Sequence, residues 1–261
     1  MRCLVVSDLH YALPRFDWLA EAAPKYDLVV FAGDALDVAS YVDFGAQTLV
    51  VRKYFQRLAK TTRFIFCSGN HDLDWRSPDG EKVARWVTTL GKLGVACDGD
   101  AIVVGDTLYS VFPWWDGPSV KERLIAQLSR DAAKREARRW VWVYHAPPAN
   151  SPTSWSGQRS FGDADLPGWI AQYKPDIVIS GHVHEAPFVK AGSWADRLGE
   201  TWVFNTGHYL GAPPASIVID TTVGEALWIS AMGAQSVRLD APLVRPIAPL
   251  TALPAWFEPV P

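Results

Sequence analysis

The chain has 261 residues, 49% of them hydrophobic, a formal net charge of -3 and a pI near 6.1. That length and apolar content suit one compact domain with a substantial core, and the charge balance lacks the basic stripe that duplex nucleic acid demands. An anionic substrate is not excluded, because bound metal ions supply positive charge locally.

Short apolar runs alternate with amphipathic stretches along the chain. The first run ends at Asp8, too short for a signal peptide, and no stretch approaches transmembrane length. The cytoplasm is therefore the expected location. Cys3, Cys67 and Cys97 form an odd set without a CxxC pair, which fits a reducing compartment better than a disulfide framework.

In chain order, Leu4 to Ser7 reads as a strand and Phe16 to Ala23 as a helical stretch. Leu28 to Ala32 is a strand, Phe44 to Lys60 a helix, Phe64 to Ser68 a strand and Glu81 to Leu93 a further helix. Ile102 to Val104 and Leu108 to Phe112 pair around Gly105-Asp106, and Glu122 to Arg139 reads as a charged surface helix. Trp140 to Tyr144 is a strand, Leu166 to Tyr173 a short helix and Ile177 to Ser180 a strand. Three late strands cover Trp202 to Asn205, Ile217 to Asp220 and Ala226 to Ser230. Such alternation predicts a layered α/β domain over 1–232. From Gly233 the chain becomes proline-rich, and 233–261 reads as an extended arm lying on the domain.

The chemistry-bearing residues cluster where these strands end. The first strand runs into Asp8-Leu9-His10, the second into Gly33-Asp34 and the third into Gly69-Asn70-His71-Asp72. Two later strands run into His145 and into Gly181-His182-Val183-His184. The C-terminal strand ends form the ligand-binding edge of an α/β sheet, so five strand ends deliver polar side chains to one place. Five of the six histidines lie there, and burying such a cluster without a purpose would be costly. Carboxylates, imidazoles and one amide oxygen, without thiolates, suit manganese, iron or zinc. Seven such side chains exceed what one ion needs and suit two ions sharing a bridging carboxylate. The glycines at 33, 69 and 181 allow close backbone approach beside them.

Asp-x-His, Gly-Asp, Gly-Asn-His-Asp, a later His and Gly-His-x-His, in that order over residues 8 to 184, resemble the calcineurin-like metallophosphoesterase family. The resemblance implies a four-layer α-β-β-α sandwich, two packed mixed sheets flanked by helices. It implies that Asp8, His10 and His184 hold one divalent metal and Asn70, His145 and His182 a second, with Asp34 bridging. Manganese is the first expectation for both, with iron or zinc as alternatives. The implied reaction is hydrolysis of a phosphodiester, or a phosphomonoester, by a metal-bridging hydroxide. His71 would protonate the leaving oxygen, and Asp72 would orient His71. His145-Ala146-Pro147-Pro148 and the Gly181 to Glu185 block are similar to the small, single-domain phosphodiesterase branch. Asp72 stands where the family's protein phosphatases carry Glu, and no matching arginine accompanies it, which counts against a protein substrate.

Two loops are candidates for meeting the substrate, their tryptophans otherwise covering core edge and their arginine a surface contact. Phe112 to Pro118 carries Trp114 and Trp115, an aromatic wall for a flat group, and the loop after His145 carries Arg159, a partner for phosphate. His208, in Asn205-Thr206-Gly207-His208, follows a late strand and is a further candidate for substrate contact. The expected partner is a small phosphate ester, without nucleic acid or membrane, and the sequence leaves the oligomeric state open. A nuclease of the same family is the alternative enzyme, and a non-catalytic metal-binding scaffold is the alternative outside catalysis.

Overall fold

The computed structural model describes residues 1–136 and 138–259. Ala137, inside the expected 122–139 helix, and Val260 and Pro261, at the end of the expected arm, lie outside the described residues. Strand β1 (Arg2–Val6) leads to helix α1 (Leu13–Ala22), β2 (Leu28–Ala32), α2 (Phe44–Thr61) and β3 (Arg63–Cys67). A small hairpin of β4 (Trp75–Arg76) and β5 (Lys82–Val83) precedes β6 (Ala101–Val104), β7 (Thr107–Val111) and α3 (Pro118–Ala133). Then come β8 (Arg139–Val143), α4 (Leu166–Tyr173), β9 (Ile177–Ser180), β10 (Ala195–Leu198) and β11 (Thr201–Asn205). Strands β12 (Ser216–Asp220), β13 (Glu225–Ser230) and β14 (Gly233–Arg238) complete the regular elements.

Two six-stranded sheets form, one in the order β14-β13-β12-β1-β2-β3 and the other β10-β11-β9-β8-β7-β6. Each has a parallel centre, β1 with β2 and β3 in the first and β7, β8, β9 and β11 in the second. The two-residue period of a strand lets one segment feed two cores. Leu4 and Val6 join a core with Phe16, Phe31, Phe55 and Phe66 beneath α1 and α2, whereas Cys3 and Val5 face the other sheet. In β8, Val141 and Val143 point between the sheets while Trp140 and Trp142 pack with Leu124, Leu128 and Ile170 of α3 and α4. The result is a four-layer α-β-β-α sandwich, as the family resemblance implies.

Three local expectations are corrected. Residues 81–93 hold no α-helix: Lys82–Val83 is a strand and only Val87–Leu93 coils, as a 3-10 turn. The cause lies in Thr88, Thr89 and Gly91, weak helix formers, and in the Glu81 carboxylate, which accepts from Ser119 and Val120 N–H and so ties the hairpin to the start of α3. The surface helix begins earlier and ends earlier than expected, with Pro118 in its first turn. The segment from Gly233 begins as β14, in register with β13 from Gly233 opposite Ser230 to Arg238 opposite Glu225. Beyond it, Leu239, Leu243 and Ile247 pack on the inter-sheet core, and Trp256 and Phe257 reach the core beneath α1 and α2.

Candidate metal centre

The parallel strands β1, β2, β3, β8 and β9 all end at one edge, and the residues just beyond them turn sharply inward. Nine non-glycine residues among those described have left-handed backbones, and five of them, Asp8, His10, Tyr11, Asp34 and His182, belong to these turns. Such conformations are costly and persist where surrounding contacts enforce them, often at functional sites. Asp8 N–H donates to Gly33 O, His10 N–H to Asp34 O and Tyr11 N–H to Ala35 O, so the first two turns brace each other. Gly33, at φ 90°, must be glycine because a Cβ there would collide with the His145 ring, and a Cβ at Gly69 would collide with Asp34.

The seven expected ligands converge. His10 Nε2 lies 3.0 Å from His184 Nε2, which is 3.2 Å from Asp8 Oδ1. His182 Nδ1 lies 2.9 Å from Asn70 Oδ1, and His145 Nε2 3.1 Å from Asp34 Oδ2. His10 Nε2 is 4.0 Å from the same Asp34 oxygen, so Asp34 stands between the two groups. Among the described residues, Asp34 also belongs to two clusters of ligand atoms lying within 4.8 Å of one another, one with His10 and His71, the other with His145 and His182.

The donor chemistry fits divalent cations. His145 Nδ1 donates to Ala32 O at 2.6 Å, which leaves Nε2 as a lone-pair donor, the arrangement that typically orients a ligating histidine. That Nε2 is fully buried and has no hydrogen-bond partner, its 3.1 Å approach to Asp34 being misaligned. A buried lone pair without a partner is expensive. Burial disfavours charge on His145, yet Asp34 and Asp8 push it up to about 9. Burial likewise opposes ionisation of Asp8 and Asp34, but the surrounding imidazoles hold both below the usual carboxylate range. His182 goes the other way, lowered to about 4 by burial and by His145.

His71 faces the same cluster, its ring centroid 4.6 Å from His10. Val38 N–H donates to Nδ1 at 3.3 Å, so Nε2 carries the proton and is the nitrogen left to face the ligands. Asp72 does not orient this ring, contrary to the sequence expectation. Its carboxylate is buried and accepts from the N–H groups of Asp34, Ala35, Leu36 and Gly69, stapling two ligand loops together. Burial and the nearby Asp34 push Asp72 up to about 8, against the pull of those backbone donors. The carboxylate beside His71 is Asp37, with Oδ1 3.7 Å from Nδ1.

The remaining candidates separate. Trp114 tilts against His182 at 5.0 Å between ring centroids and lies 5.7 Å from His145. Trp115 is held by Asp163, to which its Nε1 donates at 2.9 Å. His208 joins the cluster: it stacks on His184 at 4.6 Å, and its Nδ1 donates to Asp8 O at 2.6 Å. Arg159 is exposed, with its guanidinium over the Phe161 ring at 4.3 Å, and among the described residues none of its contacts reaches a ligand residue. No motif singles out Arg15, which is buried with Nη1 3.3 Å from the His208 ring nitrogens and Nε donating to Gly211 O. Burial and Arg15 together lower His208 to about 4. Ser7 and Thr206 are equally hidden from sequence reading: the Ser7 hydroxyl bonds Asp8 and Thr206, partners 199 positions apart in the chain in the second case.

A family model described as calcineurin-like phosphoesterase matches residues 1–186. Among solved structures, the chain is similar to TT1561 of Thermus thermophilus, at 15% identity over 91% of this chain and 98% of that one, with a TM-score of 0.56. It is similar to the purple acid phosphatase PPD1 from yellow lupin (Lupinus luteus) seeds at 13% identity, covering 92% of this chain and 51% of that one, with a TM-score of 0.53. A 5'-nucleotidase precursor from Thermus thermophilus gives 12% identity, 88% and 51% coverage and a TM-score of 0.51. At these identities the likeness is one of fold, and the chain spans about half the length of the last two. No curated protein matches the chain.

Proposed function

The chain belongs to the calcineurin-like phosphoesterase family, and from that premise we propose that it is a metal-dependent phosphoric ester hydrolase acting on a small phosphodiester in preference to a monoester. The observation that carries this reading is the pair of donor groups meeting at Asp34, with the buried His145 Nε2 making no well-aligned hydrogen bond among the described residues. In it, Asp8, His10 and His184 would hold one divalent metal, Asn70, His145 and His182 would hold the other, and Asp34 would serve both. Manganese is the metal we favour. Two such cations, when bound, screen the phosphate charge and lower the pKa of an attacking water.

The chain's own groups do the rest. His71 would present the proton for the leaving oxygen from Nε2, with Nδ1 fixed by Val38 N–H. Asp72 acts one step removed, by holding the Asp34 and Gly69 turns in register. Trp114 covers the His182 and His145 rings and limits water access on that side. We place the enzyme in the cytoplasm, in keeping with three free, buried cysteines. Among the described residues, no helix is long and apolar enough to cross a membrane.

The test is hydrolysis of bis-p-nitrophenyl phosphate and p-nitrophenyl phosphate by metal-stripped protein with and without added Mn. Metal-dependent cleavage of the diester, faster than of the monoester, is the expected result. Cleavage of the monoester alone would overturn the diester preference, and inactivity on both would overturn the hydrolytic reading.

A further inference from the structure

Trp114 separates the metal-ligand cluster from a cavity of about 280 Å³, lined by Trp114, Trp115, Tyr144, Phe161, Asp163 and Asp165. The cavity and the cluster share Trp114, which lines the one and has its ring 5.0 Å from His182 in the other. Its volume is small for an extended ligand and suits one compact group.

The charge of the lining is unusual. Asp163 is nearly buried, and it accepts from Trp115 Nε1 at 2.9 Å, Tyr144 OH at 2.6 Å, Asp165 N–H at 2.8 Å and Leu166 N–H at 3.2 Å. All four donors are neutral, and no cation pairs with Asp163 among the described residues. Four aromatic side chains thus share the cavity with a carboxylate that has only neutral donors and, among the described residues, no cationic partner. The same rings already draw cations from outside: Lys121 Nζ lies 4.8 Å over Trp115, and the Arg159 guanidinium 4.3 Å over Phe161. Neither lines the cavity, and Lys121 is matched by Asp165 at 2.5 Å.

We infer that this cavity is an ammonium-binding box, which takes the cationic end of a phosphoester carrying a primary or quaternary amine a short tether away from phosphorus. An anionic group would be repelled by Asp163, and a neutral one would leave its charge unbalanced. A cation gains from both the carboxylate and the ring faces. The short tether follows from Trp114, which lines the cavity while its ring lies 5.0 Å from His182. The substrate class rests on the hydrolytic reading, whereas the binding box stands on its own geometry.

The test has two arms, each using a charge-only comparison. In the first, choline and its neutral isostere 3,3-dimethylbutanol are titrated into the protein and followed by tryptophan fluorescence. Choline is expected to bind roughly tenfold more tightly, and Phe161→Leu, a substitution at an exposed position, to reduce that ratio several-fold. In the second, p-nitrophenyl phosphocholine and p-nitrophenyl 3,3-dimethylbutyl phosphate are compared as substrates with Mn, and the choline ester is expected to show roughly tenfold higher kcat/KM. Equal binding of the two alcohols, or a ratio unmoved by Phe161→Leu, overturns the box whatever the activity. Preferential choline binding with no cleavage of either ester upholds the box and overturns the hydrolytic reading instead.

Discussion

Asp72 and His71 are neighbours in the chain, yet they serve different ends, and each carries its own prediction. Replacing Asp72 with Asn turns one of its two acceptor oxygens into an NH2 that faces N–H donors, so two buried donors lose their acceptor. Asp72→Asn is expected to destabilise the metal-free protein by about 3 kcal/mol in urea unfolding. His71→Ala should leave stability and metal content near wild type while lowering kcat by about 10²- to 10⁴-fold; an unchanged kcat would remove His71 from the reaction. The His145 pKa of about 9 gives a further prediction. The ring carries a proton at neutral pH that a cation on Nε2 must displace, so metal binding near pH 7 should release about one proton. Release should fade above about pH 9, which calorimetry in buffers of different ionisation enthalpy will show. A folded pKa raised from 6.5 to about 9 stabilises the metal-free fold fully below pH 6.5, and that contribution is lost as pH rises through 9. The ligands were legible because each follows a strand directly in the chain. Asp37, Arg15, Ser7 and Thr206 were not, because their partners come from remote segments or from loop shape that no local pattern encodes.

Among the elements, the clean strands and helices were those whose pattern and packing agree. Leu28–Ala32, Leu166–Tyr173 and Ile177–Ser180 fall where the apolar runs place them. The segment 81–93 failed because its apolar spacing reflects burial of Ala84, Trp86, Val87 and Leu90 beside α2, which a 3-10 turn satisfies as well as a helix does. Strands β10 and β14 escaped notice because Ala195–Leu198 and Gly233–Arg238 are polar edge strands with little alternation. Helix α2 offers the sharpest test at this scale. Phe55 is fully buried, with ring centroids 4.9 Å from Phe64, 4.8 Å from Phe66 and 5.8 Å from Phe31. Phe55→Ala should cost about 3–5 kcal/mol. A loss well under that in chemical denaturation would mean that the aromatic cluster repacks.

The whole molecule is two sheets pressed together so that the ends of β1, β2, β3, β8 and β9 share one edge, and every expected ligand lies between Asp8 and His184. The C-terminal segment contributes elsewhere: Arg245 donates to Asp196 at 2.7 Å, Trp256 Nε1 donates to Glu225, and Gln235 Nε2 donates to Ile247 O. Truncation after Arg238 should therefore lower the unfolding temperature and solubility while leaving metal stoichiometry intact, and loss of metal binding on truncation would contradict that division. The layered class was legible because each central strand alternates between two cores, whereas the path of the C-terminal segment depends on side-chain contacts with distant strands. The central claim is that Asp34 bridges two cations, and the most direct measurement is electron paramagnetic resonance of protein titrated with Mn, with bound metal counted in parallel. Two Mn per chain with an exchange-coupled spectrum, reduced to uncoupled signals in Asp34→Asn, is the predicted result. A single uncoupled Mn, or none, in the wild-type chain would contradict it.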